Sequence, residues 1–438
     1  MDKKIKILYY ADTLSCFYQK TSSRSGIFFA ALNILKELVK RDDIEVTLFP
    51  TSSKAFMLKK FTEHYSEFNN LKILCTFTII DYIMGYLEYY KFQCRKIDQK
   101  DNLYKKTVRF FTIRLLKIFN RIKYIDNDIK DKLPEFDIFL SPCDAPPKFI
   151  AENKNIKKFT LLHDVTPIAL NDYFKEMDIA TSGFKILFNS LNKEDYYFAN
   201  SKYTKQDFLK YSSNLNPEHV IPLILGADER FKPETNEEKI KSIKQKYNIP
   251  LDKKTIFSLC TLEPRKNLIF AIKNFIKFIE QYNIEDLVFV MGGGHWQKFL
   301  EILNKELKNE KYKDKIIKTG YIDDEDLPVL YSACEIFVYP SIYEGFGTPV
   351  LEAMKCGCAV ITSNVTSMPE VIGDTGIQIN PKSDEDLIEA YRKMYFDKEF
   401  QTECRQKAFE RSKQFRWDTC VEEMVKSMKN IIGEHNAI

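Results

Sequence analysis

The 438 residues contain no uncharged apolar run of about 18 residues, the length that a bilayer-spanning helix needs. The most apolar window, TFTIIDYIMGYL, is short and broken by Asp81, so no transmembrane helix is expected. The opening MDKKIKILYYADT enters a strand pattern at once and lacks the apolar stretch of a signal peptide, which predicts a cytoplasmic chain. The ten cysteines include no CxxC pair and no Cys/His cluster at zinc spacing, and they read as reduced thiols. Charge of either sign is barely in excess: 66 basic against 62 acidic residues leave +4, which gives no case for a nucleic acid partner. A G-x-G-x-x-G fingerprint is also missing. The glycines of GGGHW, residues 292–296, follow the strand LVFVM and read as a tight turn before a nucleotide contact. The D-x-D-like runs DND, residues 126–128, and DDED, residues 323–326, lack an apolar strand before them, so no metal site is expected.

What is present is strand and helix in alternation. KIKILYY, a polar loop, the helix IFFAALNILKELVKR and the strand IEVTLFP form a βαβ unit of a parallel sheet. Residues 55–130 read as helical. FDIFLSP, KKFTLLHD, DYYFANS and HVIPLILG then supply four more strands. After a charged, Pro-containing stretch a second series begins: TIFSLCT, LVFVMGGG, KIIKTGYI, EIFVYPS, CAVITS and TGIQINP. The expected fold is α/β with two Rossmann-like domains, residues 1–226 and 227–415, facing each other across a cleft. A C-terminal helix over about 416–438 is expected to pack back on the first domain. In open α/β sheets ligands sit beyond the carboxyl ends of the strands, so the loops after each strand are the ones to inspect.

Two of these loops carry chemistry. In YPSIYEGFGTPVLEAMKCG, residues 339–357, Gly345 and Gly347 open the backbone before a helix. Thr348 is the expected N-cap and Pro349 the first helical residue. A helix N-terminus favours an anion beside it. Glu344 and Glu352 flank this anion site. A carboxylate pressed against phosphate would be repelled, so the two glutamates are expected to face hydroxyl groups. In TLEPRKN, residues 261–267, Arg265 and Lys266 stand at a helix start, an unfavourable end for cations unless an anion binds there. Arginine offers a bidentate fork to phosphate and lysine a compact charge.

Together with VMGGG and KTGYIDDEDLPVLYSACEIFVYPS, these motifs make the C-terminal half resemble closely the retaining glycosyltransferases of the GT-B fold, family 4 (group 1). SRSGIF, LLHDVTP, FANSKYTKQDF and VIPLILGADERFKP extend the resemblance, more loosely, into the N-terminal half. It implies transfer of a sugar from a nucleoside-diphosphate donor to a glycan or lipid-linked acceptor, in surface polysaccharide or glycoconjugate synthesis. Mannose, carried on GDP, is the first guess. By resemblance, Arg265 and Lys266 hold the diphosphate, Glu352 binds the ribose hydroxyls and Glu344 faces the donor sugar. Phe346, Gly347 and Thr348 surround sugar and phosphate, Gly26 lets its loop approach the diphosphate, and His163 lies near the reaction centre. Asp164 either orients that imidazole or contacts the acceptor. With the two cations and a helix terminus to neutralise the diphosphate, no metal or other cofactor is expected.

The segment KKTVRFFTIRLLKIFNRIKY, residues 105–124, has apolar residues on one side, basic residues over most of the rest and no acid. It suits a helix lying on an anionic membrane surface or, equally, a core-packing helix with a solvated basic face. The alternatives to transfer are a glycoside hydrolase using both glutamates, a nucleotide-sugar epimerase, and an inactive sugar-nucleotide-binding protein.

Overall fold

The structure is a computed structural model and describes residues 4–18, 26–51, 54–75, 79–97, 127–172, 181–259, 264–294, 301, 305 and 310–435. The amphipathic segment 105–124, Ser25 and Cys260–Glu263 lie outside the described residues.

The first sheet has seven strands: β1 (Ile5–Tyr10), β2 (Ile44–Phe49), β3 (Lys72–Ile73), β4 (Ile138–Ser141), β5 (Lys157–Leu162), β6 (Tyr196–Ala199) and β7 (Val220–Pro222). Their order is β3-β2-β1-β4-β5-β6-β7, and every pairing is parallel. The second sheet has six: β8 (Lys254–Leu259), β9 (Leu287–Gly292), β10 (Ile316–Gly320), β11 (Ile336–Tyr339), β12 (Val360–Ser363) and β13 (Ile377–Ile379). It runs β10-β9-β8-β11-β12-β13, again all parallel. All six strands expected in this half are found. The first half has one more than expected, β3. Two residues on a sheet edge are too short to show alternation, so nothing in the sequence marks it.

Burial explains why the strands read as continuous apolar runs. The four residues of β4, of β11 and of β12 are all buried, as expected when helices cover both faces of a parallel sheet. Five helices matter to the site: α1 (Gly26–Val39), α2 (Lys202–Tyr211), α3 (Leu268–Gln281), α4 (Thr348–Lys355) and α5 (Trp417–His435). α5 packs on α1 of the first sheet, and Lys429 Nζ lies 2.7 Å from Asp43 Oδ2. Gly226 sits against the backbone of Arg416 and Trp417, where a Cβ would come within 2.4 Å of Trp417 N.

Both strand orders reverse once, between β1 and β4 and between β8 and β11. Loops on either side of such a reversal splay apart and leave a crevice. The loop after β8 carries Arg265 and Lys266, and the loop after β11 carries Glu344. Sequence separation is bridged by topology.

Candidate active site

Pro264–Lys266 form a single 3-10 turn, and Asn267, in left-handed conformation at φ 59°, leads into α3. This turn is tied to the loop after β11. Ile342 N donates to Arg265 O at 2.9 Å, and Ser341 Oγ lies 3.1 Å from the same oxygen. Both cations converge on Glu344, Arg265 Nη1 at 3.0 Å from Oε2 and Lys266 Nζ at 2.5 Å from Oε1. Tyr339 Oη (2.9 Å) and Ser341 Oγ (2.7 Å) also donate to Oε1. Glu344 N donates to Thr366 Oγ1 at 3.2 Å, and Glu344 O accepts from Ser367 Oγ at 3.0 Å. In this structure Glu344 therefore faces the two cations. Lys266 and Glu344 are each only 7% exposed, so burial opposes the charged carboxylate. The two cations and the hydrogen bonds from Lys266 and Ser341 override it and hold its pKa at about 2.

The start of α4 departs from expectation. Thr348 is the first helical residue, not the cap; Gly347 caps, with φ 101°, and no side chain bonds the helix start. The left-handed backbone at 347 demands glycine, which moves the helix boundary one residue back and leaves the N-terminus open to a ligand. Gly345 is needed for a different reason. A Cβ there would lie 1.8 Å from His163 O, so the residue marks where the second domain's loop touches the first domain. Ser201 Oγ (2.7 Å) and Thr204 Oγ1 (3.0 Å) both donate to Gly345 O across that contact. Ser201 also caps α2 through Thr204 N, the helix-start role its sequence position suggests. Glu370 of the second domain receives the α2 backbone N–H groups of Lys202 and Tyr203, and Tyr343 donates to Asp207.

Glu352, 9% exposed on α4, accepts from Tyr331 Oη at 3.0 Å. Burial pushes its pKa up to about 7, against the smaller opposing effects of Arg230 and the Tyr331 hydroxyl. Because the folded pKa lies above the unfolded value of about 4.3, the native chain holds an extra proton between the two. The resulting stability is fully present below the unfolded pKa and is lost as pH rises through 7. Glu352→Gln, which mimics the protonated form, is expected to match the wild type at about pH 4, below the unfolded pKa. At pH 8.5 it should exceed it by about 3 kcal/mol, the value of the shift. Denaturant titrations at the two pH values check this, and parallel curves at both would show that Glu352 titrates normally.

On the first-domain side, His163 Nε2 donates to Pro142 O at 2.7 Å, which fixes the tautomer and leaves Nδ1 unprotonated in the neutral ring. Burial lowers the pKa of His163, partly offset by that hydrogen bond. Asp164 does not bond the imidazole: its Oδ1 accepts from Thr166 N at 3.0 Å. Gly26 begins α1, and a Cβ on it would lie 3.4 Å from Thr348 Oγ1, so two helix starts from different domains meet here.

One cleft of about 350 Å³ is lined by all ten residues singled out in the sequence: Gly26, His163, Asp164, Arg265, Lys266, Glu344, Phe346, Gly347, Thr348 and Glu352. Arg230, Tyr339, Tyr321 and Asp324 line it as well, and sequence reasoning missed them. Tyr339 closes β11, so the strand-end rule that found Glu344 points to it too. Arg230 lies in the connection between the sheets, within the resembling stretch VIPLILGADERFKP, from which no site residue was drawn. Asp323 and Asp326 of DDED are taken up by Lys246, at 2.7 and 2.6 Å.

Comparison with known proteins agrees with this geometry. Residues 239–411, which carry both cations and both glutamates, match the family described as glycosyl transferases group 1. This second half of the chain is therefore similar to the group 1 glycosyl transferases. The chain is 32% identical over 278 residues to the serotype-specific mannosyltransferase WbdA of Escherichia coli, covering 61% of this chain and 32% of that protein. The chain thus spans about a third of that relative's length. The O-antigen chain mannosyltransferase B of Escherichia coli is 28% identical over 284 residues, 65% of this chain and 73% of that protein. Among solved structures, Anabaena Alr3699/HepE in complex with UDP and glucose superposes with a TM-score of 0.65 at 15% identity, covering 97% of this chain and 100% of that one. WaaG, a glycosyltransferase involved in lipopolysaccharide biosynthesis, gives 0.60 at 14% identity, covering 97% and 99%. At such identities the likeness shows the fold, and the chain has the two-domain GT-B architecture.

Proposed function

We propose that this protein is a glycosyltransferase that moves a hexose from a nucleoside-diphosphate sugar to an acceptor hydroxyl, with retention of configuration, in surface glycan synthesis. The observation that carries the reading is the convergence of Arg265 and Lys266 with Glu344 beside the open start of α4, in a cleft walled by both domains. Cations at a helix start fit a diphosphate. On donor binding the diphosphate takes over Arg265 and Lys266, which releases the Glu344 oxygens to the sugar hydroxyls. Glu352 receives the ribose hydroxyls, and Phe346, Gly347 and Thr348 border sugar and phosphate. Two cations and two helix starts neutralise the leaving group, so a metal is not required. The acceptor attacks from the face the leaving group departs, a diphosphate oxygen takes its proton, and the neutral His163 imidazole borders the sugar. Mannose is the first donor sugar to test, because the mannosyltransferase relatives support it. The acceptor is a glycan or a lipid-linked glycan. Among the described residues no helix is long and apolar enough to cross a membrane, and the basic segment 105–124 would bring the enzyme to an anionic surface from the cytoplasmic side.

The hydrolase alternative draws on one observation: a low-pKa Glu344 beside a high-pKa Glu352 resembles a nucleophile and its acid. However, a hydrolase has no use for two cations gathered on one of its carboxylates beside an open helix start, and Arg265 and Lys266 both converge on Glu344 here. A screen of GDP-, UDP- and dTDP-sugars with EDTA present, followed by product analysis, tests the proposal. A nucleoside diphosphate released only with acceptor present is expected, and Arg265→Met should lower that rate about 100-fold or more. Sugar released to water without a nucleotide requirement would mean a hydrolase instead.

A further inference from the structure

Arg230 lies in the connection between the domains, Asp228 Oδ1 accepts from its backbone N–H at 3.0 Å, and the next residue, Phe231, is buried. Its guanidinium carbon lies 4.5 Å from the ring centroid of Phe29 on α1 and 5.0 Å from that of Phe231. Stacking on Phe29 aims the planar cation into the cleft, beside Gly26, Thr348 and Glu352. Among the described residues no carboxylate forms an ion pair with it, and its Nε is buried without a hydrogen-bond partner. Glu352 feels its charge, yet bonds Tyr331. Arg265 and Lys266 differ sharply from it, since both are engaged by Glu344. A buried guanidinium N–H without an acceptor is costly, and it calls for a ligand that supplies oxygen atoms.

We propose that Arg230 is a third phosphate-binding cation, contacting the donor phosphate on the ribose side, next to the hydroxyls assigned to Glu352. Arg265 and Lys266 then serve the phosphate that carries the sugar. This assignment rests on the nucleoside-diphosphate reading above and divides the diphosphate between two groups of cations. Because Phe29 belongs to the first domain and residue 230 to the connection, a phosphate on Arg230 also joins the two walls of the cleft.

Titration of the full chain with a nucleoside, its monophosphate and its diphosphate, using the base that the donor screen selects, tests the division. Arg230→Met, which keeps the apolar stem on Phe29, is expected to weaken monophosphate and diphosphate binding by at least tenfold each and nucleoside binding by less than threefold. Arg265→Met should weaken the diphosphate but not the monophosphate. If Arg230→Met does not fold, Arg230→Lys is read in the same way, with a loss of at least threefold for both phosphorylated ligands. Monophosphate affinity within twofold of the wild type overturns the assignment while leaving the function intact. A wild-type chain that binds none of the three nucleoside diphosphates overturns the function itself, and the assignment with it.

Discussion

Glu344→Gln is expected to destabilise the unliganded protein by about 3–5 kcal/mol, the usual cost of removing one partner from a buried ion pair. The carboxylate is the counter-charge for two cations at once, and Lys266 is as deeply buried as Glu344 itself. Glutamine retains an oxygen for Tyr339 and Ser341 but no charge, so Arg265 and Lys266 are left close together without compensation. The same change removes the group that competes with a diphosphate for those cations. Nucleoside diphosphate should therefore bind the variant more tightly than the wild type, by about tenfold, and at 100 times its dissociation constant restore about 2.7 kcal/mol. Transfer should fall about 100-fold, because under the proposed function the sugar loses the carboxylate assigned to its hydroxyls. Thermal unfolding with and without diphosphate, together with a transfer assay, reads all three effects. An unchanged melting temperature and unchanged diphosphate affinity would sink the view that Glu344 balances the cations of the free enzyme.

The contact between Glu344 and the two cations was only half legible in the sequence. The strand-end rule selected TLEPRKN and YPSIYEGFGTPVLE, and charge repulsion gave the expectation that the glutamates face hydroxyls and not phosphate. It did not show that Glu344 and Lys266, 78 residues apart, meet directly. The contact arises because β8 and β11 are neighbours at the reversal of strand order, a tertiary fact with no local signature. The start of α4 failed for a local reason: Ser/Thr capping preference competes with the backbone's need for a left-handed residue, and Gly347 satisfies the latter. β3 was too short to see. VIPLILGADERFKP stood out by resemblance, but nothing about a linker arginine indicates the Phe29 ring that Arg230 packs on.

Gly345→Ala separates the first domain's part in catalysis from donor binding, and its effect on transfer should rival that of Glu344→Gln. The added methyl would stand 1.8 Å from His163 O, 2.9 Å from His163 C and 3.0 Å from Asp164 Cβ, and backbone atoms cannot rotate away as a flexible side chain can. One loop must retreat by more than about 1 Å, a displacement of the kind that costs roughly 100-fold in rate when it misplaces reacting groups. The retreat also strains the paired hydrogen bonds from Ser201 and Thr204 to Gly345 O, so the domains part where the sugar is held. Arg265, Lys266 and Glu352 all belong to the second domain and keep their places. Diphosphate affinity is therefore expected to fall by about tenfold at most, through the first-domain contacts of Gly26 and Phe29, while transfer falls about 100-fold. An equal loss in both would mean that the alanine disturbs Glu344 rather than the domain contact. Transfer near the wild-type rate would mean that His163 need not meet this loop during turnover.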